Sequence, residues 1–456
     1  MHKPAAQMRS SPISAPILDT SPGYFGCLAW HSKEGRPKLC FAAKIPGLHP
    51  STKSHYERGT MTATSLTELS EINVPDAGLV ARATELLPLI REFAGQGSEA
   101  RRVAPEVVSA LEGAGIFRML VPKRYGGMGA SLRTAVEVTK EISRGDGSTG
   151  WVTTLMMVGT GFASTFSRQA QEDVFGSNPS AKVAGTFSPG SKSERVEGGY
   201  LISGRWPYSS GSFAADWATL GVLLDGDDPM ALALVPAEAW SIEPTWFVAG
   251  MKGTGSDTIV VENHFVPEHR VQRLSNMLSS NFLTPFKDDR MANVAFNAVA
   301  AAILVAPQIG LARHALEITL AKLPGKPVAY SMYDNAKNSP THQLAVANAA
   351  TNLHISELLL NRMCLDIDTA ADAGQQLDLP TRARIRNDTG IIAELIGQAI
   401  DALMTANGAG SFAEANVLNQ IWRDSEIAAR HAFVTPEIGK EAYGRVLMGL
   451  EPTINL

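Results

Sequence analysis

Three stretches of the chain set glycine beside short hydroxyls: Gly185-Thr-Phe-Ser-Pro-Gly, Gly204-Arg-Trp-Pro-Tyr-Ser-Ser-Gly and Gly250-Met-Lys-Gly-Thr-Gly-Ser. Lacking a Cβ, glycine lets backbone N–H groups come close to a flat, polar-edged cofactor, and a neighbouring Ser or Thr adds a hydroxyl at contact distance. Each stretch alone reads equally well as an ordinary hairpin turn; their combination favours a binding site. His431 closes the stretch Trp422-Arg-Asp-Ser-Glu-Ile-Ala-Ala-Arg-His. On spacing alone it is a helix-terminal histidine capping carbonyls. The other histidines rank lower: His264 and His269 flank a strand end, while His314, His342 and His354 lie in helical stretches as surface or packing residues. No metal centre is expected. Cys27, Cys40 and Cys364 are odd in number and lack CxxC or Cys/His ligand spacing, which argues against zinc and a disulfide framework and fits a reducing cytoplasm. A formal charge of -5 offers no basic field for nucleic acid.

The elements that must position these residues follow from periodicity. With 456 residues, 45% of them apolar, the chain can bury a large core across two or three domains. Residues 1–74 read as an extension. Its first 60 residues hold seven prolines, four histidines and eight Lys/Arg against three Asp/Glu, with no sustained periodicity. They are read either as a targeting presequence or as a misassigned start, with translation beginning at Met61 behind codons for Glu57-Arg58-Gly59-Thr60 that could form a ribosome-binding site. Residues 75–178 carry helical spacing: Leu79, Ala83, Leu86, Leu87, Ile90 and Phe93, a second helix after Pro105, then a run from Leu132 to about Phe175. Residues 179–272 change to short β-branched segments, such as Trp217-Ala-Thr-Leu-Gly-Val-Leu-Leu and Thr258-Ile-Val-Val-Glu-Asn, and read as a β domain. Residues 273–456 return to helices, over 291–322, 340–373, 380–409 and 413–430, as a four-helix bundle. The most apolar run, Ala292 to Ala306, ends at Pro307 and falls short of the roughly 20 residues a membrane span needs, so it is read as a buried helix and no membrane is expected.

In order and over nearly all of residues 75–456, these segments resemble the acyl-CoA dehydrogenase superfamily. Gly185-Thr-Phe-Ser-Pro-Gly resembles its Thr-containing flavin strand, and Gly204-Arg-Trp-Pro-Tyr-Ser-Ser-Gly its Gly-x-Lys-x-Trp-Ile-Thr-Asn segment. Trp246 to Ser256 with Val261-Glu-Asn-His-Phe-Val-Pro resembles its Gly-x-Arg-x-Ser and strand-to-Val-Pro signature. The resemblance implies an α+β multidomain fold: an N-terminal helical domain, a central β-barrel-like domain and a C-terminal four-helix bundle. It also implies a homotetramer packed through that bundle.

A dehydrogenase of this family needs a carboxylate to take the proton α to the thioester carbonyl. In the family's Arg-Asp-x-x-Ile-x-x-x-x-Glu segment the base position here is Ala432, and Met291 to Leu316, the other known place, contains no carboxylate. Trp422 to His431, Tyr443-Gly-Arg-Val-Leu-Met-Gly and Asp146-Gly-Ser-Thr-Gly-Trp151 instead resemble the flavin-dependent aromatic hydroxylases on this scaffold. That branch implies the oxygenase component of a two-component monooxygenase. A separate reductase supplies reduced FAD or FMN, which reacts with O2 to a C4a-hydroperoxyflavin attacked by an electron-rich ring. By the same resemblance Ser210 would sit near flavin N5 and His431 near the oxygen-reacting face, as the catalytic residues, with the imidazole stabilising a developing peroxide anion. Trp151, Thr186, Tyr208, Ser209, Ser210, Thr254, Gly255 and Ser256 would bind the flavin, and Met156, Gly159, Phe162 and Gly185 would line the substrate pocket.

The phenol hydroxylases of this branch clamp the substrate hydroxyl with a histidine eight residues after the Trp and a serine in the flavin strand; here those positions are Gly159 and Gly185. Without a clamp to deprotonate a phenol, a ring nucleophilic in its neutral form, such as indole, is the preferred substrate class. The two glycines would also free volume for a bulkier polycyclic or sulfur heterocycle. Asp216 or Thr186 would stand in for the missing groups if the register is one residue off. Three alternatives stay open: an acyl-CoA dehydrogenase with a displaced base, a non-catalytic binding module, and an N-hydroxylase.

Overall fold

The computed structural model describes residues 73–456. The expectations for residues 1–72 lie outside that range.

The N-terminal helices are α1 (Ala77–Glu85), α2 (Leu87–Ala100), α3 (Pro105–Gly113), α4 (Leu132–Gly145), α5 (Gly147–Ala163) and α6 (Arg168–Phe175). The apolar spacing from Leu79 to Phe93 predicts one helix, but the structure breaks it at Leu86. Pro88, in the first turn of α2, has no N–H to continue the ladder. A single extended residue, Asp146, separates α4 from α5, and its carboxylate caps α5 by accepting from Thr149 N at 2.7 Å and Thr149 Oγ1 at 2.8 Å. Every residue of α5 except Leu155 is buried, so this helix runs through the interior rather than along the surface.

Eight strands follow: β1 (Val183–Pro189), β2 (Ser191–Val196), β3 (Gly199–Trp206), β4 (Trp217–Leu223), β5 (Met230–Pro236), β6 (Trp240–Glu243), β7 (Thr258–Pro267) and β8 (Val271–Arg273). They form two four-stranded sheets, β1-β4-β5-β8 and β2-β3-β7-β6, antiparallel except for the parallel pair β1 and β4. Alternation decides what each face covers. Ile202, Trp206, Leu220, Val222, Ala233, Ile259 and Val261 pack between the sheets, while Leu232 and Leu234 of β5 turn the other way into the helical core.

After a short helix, α7 (Leu274–Leu278), come α8 (Phe296–Ile303), α9 (Ala306–Lys322), α10 (Pro340–Asp372), α11 (Leu379–Asn407), α12 (Val417–Ala428) and α13 (Pro436–Leu447). Pro307 splits the first expected bundle helix into α8 and α9. The sequence reading has no α13. Its only buried residues are Gly439 and Ala442, so it carries no apolar stripe. It docks on α11 through glycine instead: a Cβ on Gly439 would fall 2.6 Å from Arg386 O, and one on Gly390 2.6 Å from Pro436 Cα. Two helical stretches, Phe296–Gly325 and Leu379–Asn407, are long and apolar enough to cross a membrane, in contrast to the short apolar run read from the sequence. The most apolar part of the first is almost wholly buried inside the fold, as expected of a core helix.

Candidate active site

Helix α5 is the spine of the site, and the predicted residues line up along it. At its N-terminal turn, Ser148 Oγ accepts from Gly253 N at 3.2 Å, bringing in the loop before β7. One turn on, Trp151 meets His431 edge to face, with ring centroids 5.6 Å apart. Next, Val152 and Met156 pack on Gly211 in the turn after β3. Gly211 has φ +77°, a conformation that strains a residue with a Cβ, and a Cβ there would fall 2.7 Å from Met156 Cε, which would have to shift. Toward the C-terminal end, Phe162 joins Phe187 of β1 and Phe296 of α8 in an aromatic cluster, with centroids 4.5 to 6.2 Å apart.

The two glycine-rich turns meet. Ser210 Oγ lies 2.6 Å from Ser256 Oγ, Ser256 Oγ lies 2.7 Å from Thr254 Oγ1, and Thr254 Oγ1 donates to Met251 O at 2.8 Å. This chain has a direction. A hydroxyl has one proton, and Thr254 gives its own to a carbonyl, so it accepts from Ser256, which in turn accepts from Ser210. Ser210 therefore sends its proton to Ser256 and keeps its lone pairs as an acceptor. Ser212 Oγ, two residues on, is buried without a partner among the described residues. Ser209 is committed to the turn: its hydroxyl donates to Trp206 O at 2.9 Å and its N–H to Asp257 O. Tyr208, at φ +63° and 69% exposed, sits at the rim against Trp246. Gly255 also takes a positive φ in the loop, and Thr186 is half-buried on β1.

His431 follows the last turn of α12 and is half-buried. Burial, and then the charge of Arg386, push its pKa down to about 4. Its Nδ1 accepts from Phe433 N at 3.2 Å, which places the neutral ring's proton on Nε2. Arg386, itself buried, is lowered to about 10 by desolvation; it donates to Ala432 O at 2.8 Å, and its Nη1 has no partner among the described residues. Ala432, where a dehydrogenase would carry its base, thus contributes only a carbonyl.

Two expectations fail. Gly159 and Gly185 do not free volume: a Cβ on Gly159 would lie 2.2 Å from Val183 O, and one on Gly185 2.3 Å from Thr219 O. Both are places where backbones touch, so the space of the missing side chains is filled by β1 and β4. Asp216 does not stand in for a substrate clamp, because Lys182 N donates to it at 2.8 Å and Lys182 Nζ pairs with it at 3.0 Å. The sequence reading missed Phe187 and Phe296, which cluster with Phe162, and Arg386. Phe187 lies inside a quoted segment and could have been found from strand alternation; Arg386 carries no local signal. A cleft of about 550 Å³, lined by Leu120, Lys123, Arg290, Met291 and others, lies away from the hydroxyl chain. It touches α5 only at the far end, where Leu120 and Met291 approach Gly161.

Residues 82–175 match the family model for the acyl-CoA dehydrogenase N-terminal domain, and residues 302–436 that for the C-terminal domain. The chain is 32% identical to the oxygenase subunit HsaA of a flavin-dependent monooxygenase from Rhodococcus jostii, over 82% of this chain and 98% of the relative. It is 31% identical to the oxygenase component of an FADH2-dependent resorcinol hydroxylase from Rhizobium sp., over 83% and 96%. An indole-3-acetate monooxygenase from Pseudomonas putida is 27% identical over 80% and 93%. The solved structure of XiaF from Streptomyces sp., in complex with FADH2 and glycerol, superposes with a TM-score of 0.79 at 32% identity, over 86% of this chain and 99% of that one. The chain belongs to the oxygenase components of two-component flavin-dependent monooxygenases, built on the acyl-CoA dehydrogenase fold. It is an oxidoreductase that works with reduced flavin from a separate reductase and with O2, on an aromatic substrate.

The residues present fit a flavin. The hydroxyl chain ends at Ser210 with acceptor capacity to spare, an orphan hydroxyl lies near it at Ser212, and Gly211 keeps the turn against α5. When bound, reduced flavin supplies the electrons that activate oxygen.

Proposed function

We propose that this oxygenase acts on an electron-rich heteroaromatic ring, indole-like in preference to a simple phenol, and works as a homotetramer. The observation that carries the substrate reading is the pair Gly159 and Gly185. Each is pressed against backbone, so neither position offers a group to deprotonate a phenol. The aromatic cluster of Phe162, Phe187 and Phe296 supports it by offering apolar faces and no charge. The indole-3-acetate monooxygenase among the relatives is consistent with such a ring; the resorcinol hydroxylase marks the competing class.

In this reading Ser210 Oγ would accept a hydrogen bond from the N5–H of a bound reduced flavin and hold that proton. His431 Nε2–H would donate a hydrogen bond to negative charge on oxygen while the imidazole stays neutral. Trp151 holds the imidazole edge-on. Thr186, Tyr208, Ser209, Thr254, Gly255 and Ser256 shape the flavin-side wall, and Met156 and Phe162 the substrate side.

The test supplies reduced FAD or FMN by a generic reductase and measures oxygenated product against hydrogen peroxide, with indole and with simple phenols. Efficient oxygenation of indole with phenols left uncoupled is expected. Efficient hydroxylation of phenols with indole ignored would sink the substrate class while leaving the enzyme class intact.

A further inference from the structure

The hydroxyl chain hangs on one peptide. Met251 has φ +50°, a left-handed conformation that costs a non-glycine residue roughly 1 kcal/mol. Its carbonyl accepts from Thr254 N at 3.2 Å, Thr254 Oγ1 at 2.8 Å and Trp246 Nε1 at 2.9 Å. Its N–H donates to Asp424 Oδ1, on α12, at 2.5 Å. Donation to a buried carboxylate polarises a peptide and makes its carbonyl the stronger acceptor. Asp424 thus stands at the head of a line that runs through Met251, Thr254 and Ser256 to Ser210.

We propose that Asp424 is a positioning residue of the oxygenase: by holding the Met251 N–H it fixes the left-handed turn, and with it the direction in which the hydroxyl chain points Ser210 at the flavin. This rests on the flavin-site reading given above and deepens it. Helix α12 is built for the task. Gln420 Nε2 donates to Asp146 Oδ1 at 3.0 Å, tying α12 to the cap of α5, and Arg423 donates to Ala249 O just before the turn. A Cβ on Gly250 would fall 2.3 Å from Arg423 O, so the loop and the helix touch backbone to backbone. His431 follows the same helix, so one element places both the Nε2–H donor and the anchor of the Ser210 acceptor.

Asp424 has no exit to solvent: it is 2% exposed, and its Oδ2 has no partner among the described residues, lying against Gly147. A residue needed only for packing would be better apolar, since a buried carboxylate with a free oxygen is costly. Retaining an acceptor there makes sense if the Met251 N–H must be held.

The test uses the full-length protein and anaerobically reduced FAD. It reads the affinity for reduced FAD, and the hydrogen peroxide released per FAD oxidised without substrate. Asp424→Ala is expected to weaken reduced-FAD binding about 10-fold and to speed peroxide release. Asp424→Asn keeps an oxygen acceptor and is expected to stay within about 3-fold of wild type. In a Ser210→Ala background, where the line no longer ends on the flavin, Asp424→Ala should add less than about 2-fold. Thr254→Val breaks the next link without touching the carboxylate, and stands in should Asp424→Ala fail to fold; it must show the same losses and the same dependence on Ser210. Wild-type affinity in Asp424→Ala, or a loss equally large without Ser210, would overturn the proposal. Failure of the wild-type protein to bind reduced FAD would instead overturn the flavin assignment itself.

Discussion

His431 and Asp424 show how burial sets protonation in opposite senses at two points of one site. Desolvation and the Arg386 charge hold His431 neutral down to about pH 4. Its depressed pKa contributes stability that is present above the ordinary value near 6.5 and is lost as the pH falls toward 4. Arg386→Gln should therefore raise the His431 pKa, read from the imidazole Cε1–H in an NMR titration; an unmoved titration would leave Arg386 only its bond to Ala432. Asp424 is pushed up to about 7, by burial first and then by the buried carboxylate of Asp146, against the Met251 N–H, Arg423 and Gln420, which lower it. From α9 the contact at this point is the apolar Leu311, through Gly147. The unfolded chain loses this proton near pH 4 and the folded one near 7, so the group destabilises the fold progressively across that window. Asp424→Asn should thus gain stability over wild type as pH rises from 4 to 7, by about 1–3 kcal/mol at pH 8 in urea unfolding, with no further gain above that. A gain independent of pH would contradict the assignment.

At the scale of elements, α5 works because everything packs on it closely. Gly159→Ala drives a methyl into Val183 O and should cost about 1–3 kcal/mol by overpacking. Gly159→His should not create a phenol clamp on this backbone; it should lower stability further and leave phenol hydroxylation unimproved. A histidine variant with wild-type melting and new phenol activity would show that β1 can yield, and would return the glycine to the role of a simple vacancy. Helix α12 carries the matching lesson. It is short, yet through Gln420, Arg423 and Asp424 it grips the cap of α5 and the loop before β7 at once.

For the whole molecule, the apolar residues left in solvent gather on the C-terminal helices and their connections. Leu320, Met332, Leu344 and Leu358 are all more than half exposed. In the tetramer proposed above, a second copy would cover such a surface. Light scattering at micromolar concentration is expected to give the mass of a tetramer, and Leu344→Glu with Leu358→Glu to reduce it. A monomeric wild type would rule out the oligomer.

The sequence alone determined the class of fold and marked the glycine-rich turns, because those rest on local features. Helical and strand periods, Gly beside Ser and Thr, and the empty base position at Ala432 are all readable over a few residues. Contacts between distant segments were decided by the tertiary structure. Asp424 and Met251 are 173 residues apart, and nothing in either segment names its partner. The same holds for Arg386 beside His431, and for α13, whose docking on glycine leaves no apolar period. Gly159 and Gly185 make the point most directly: as letters they meant missing groups and therefore space, while in the fold a missing Cβ means that two backbones have closed the gap.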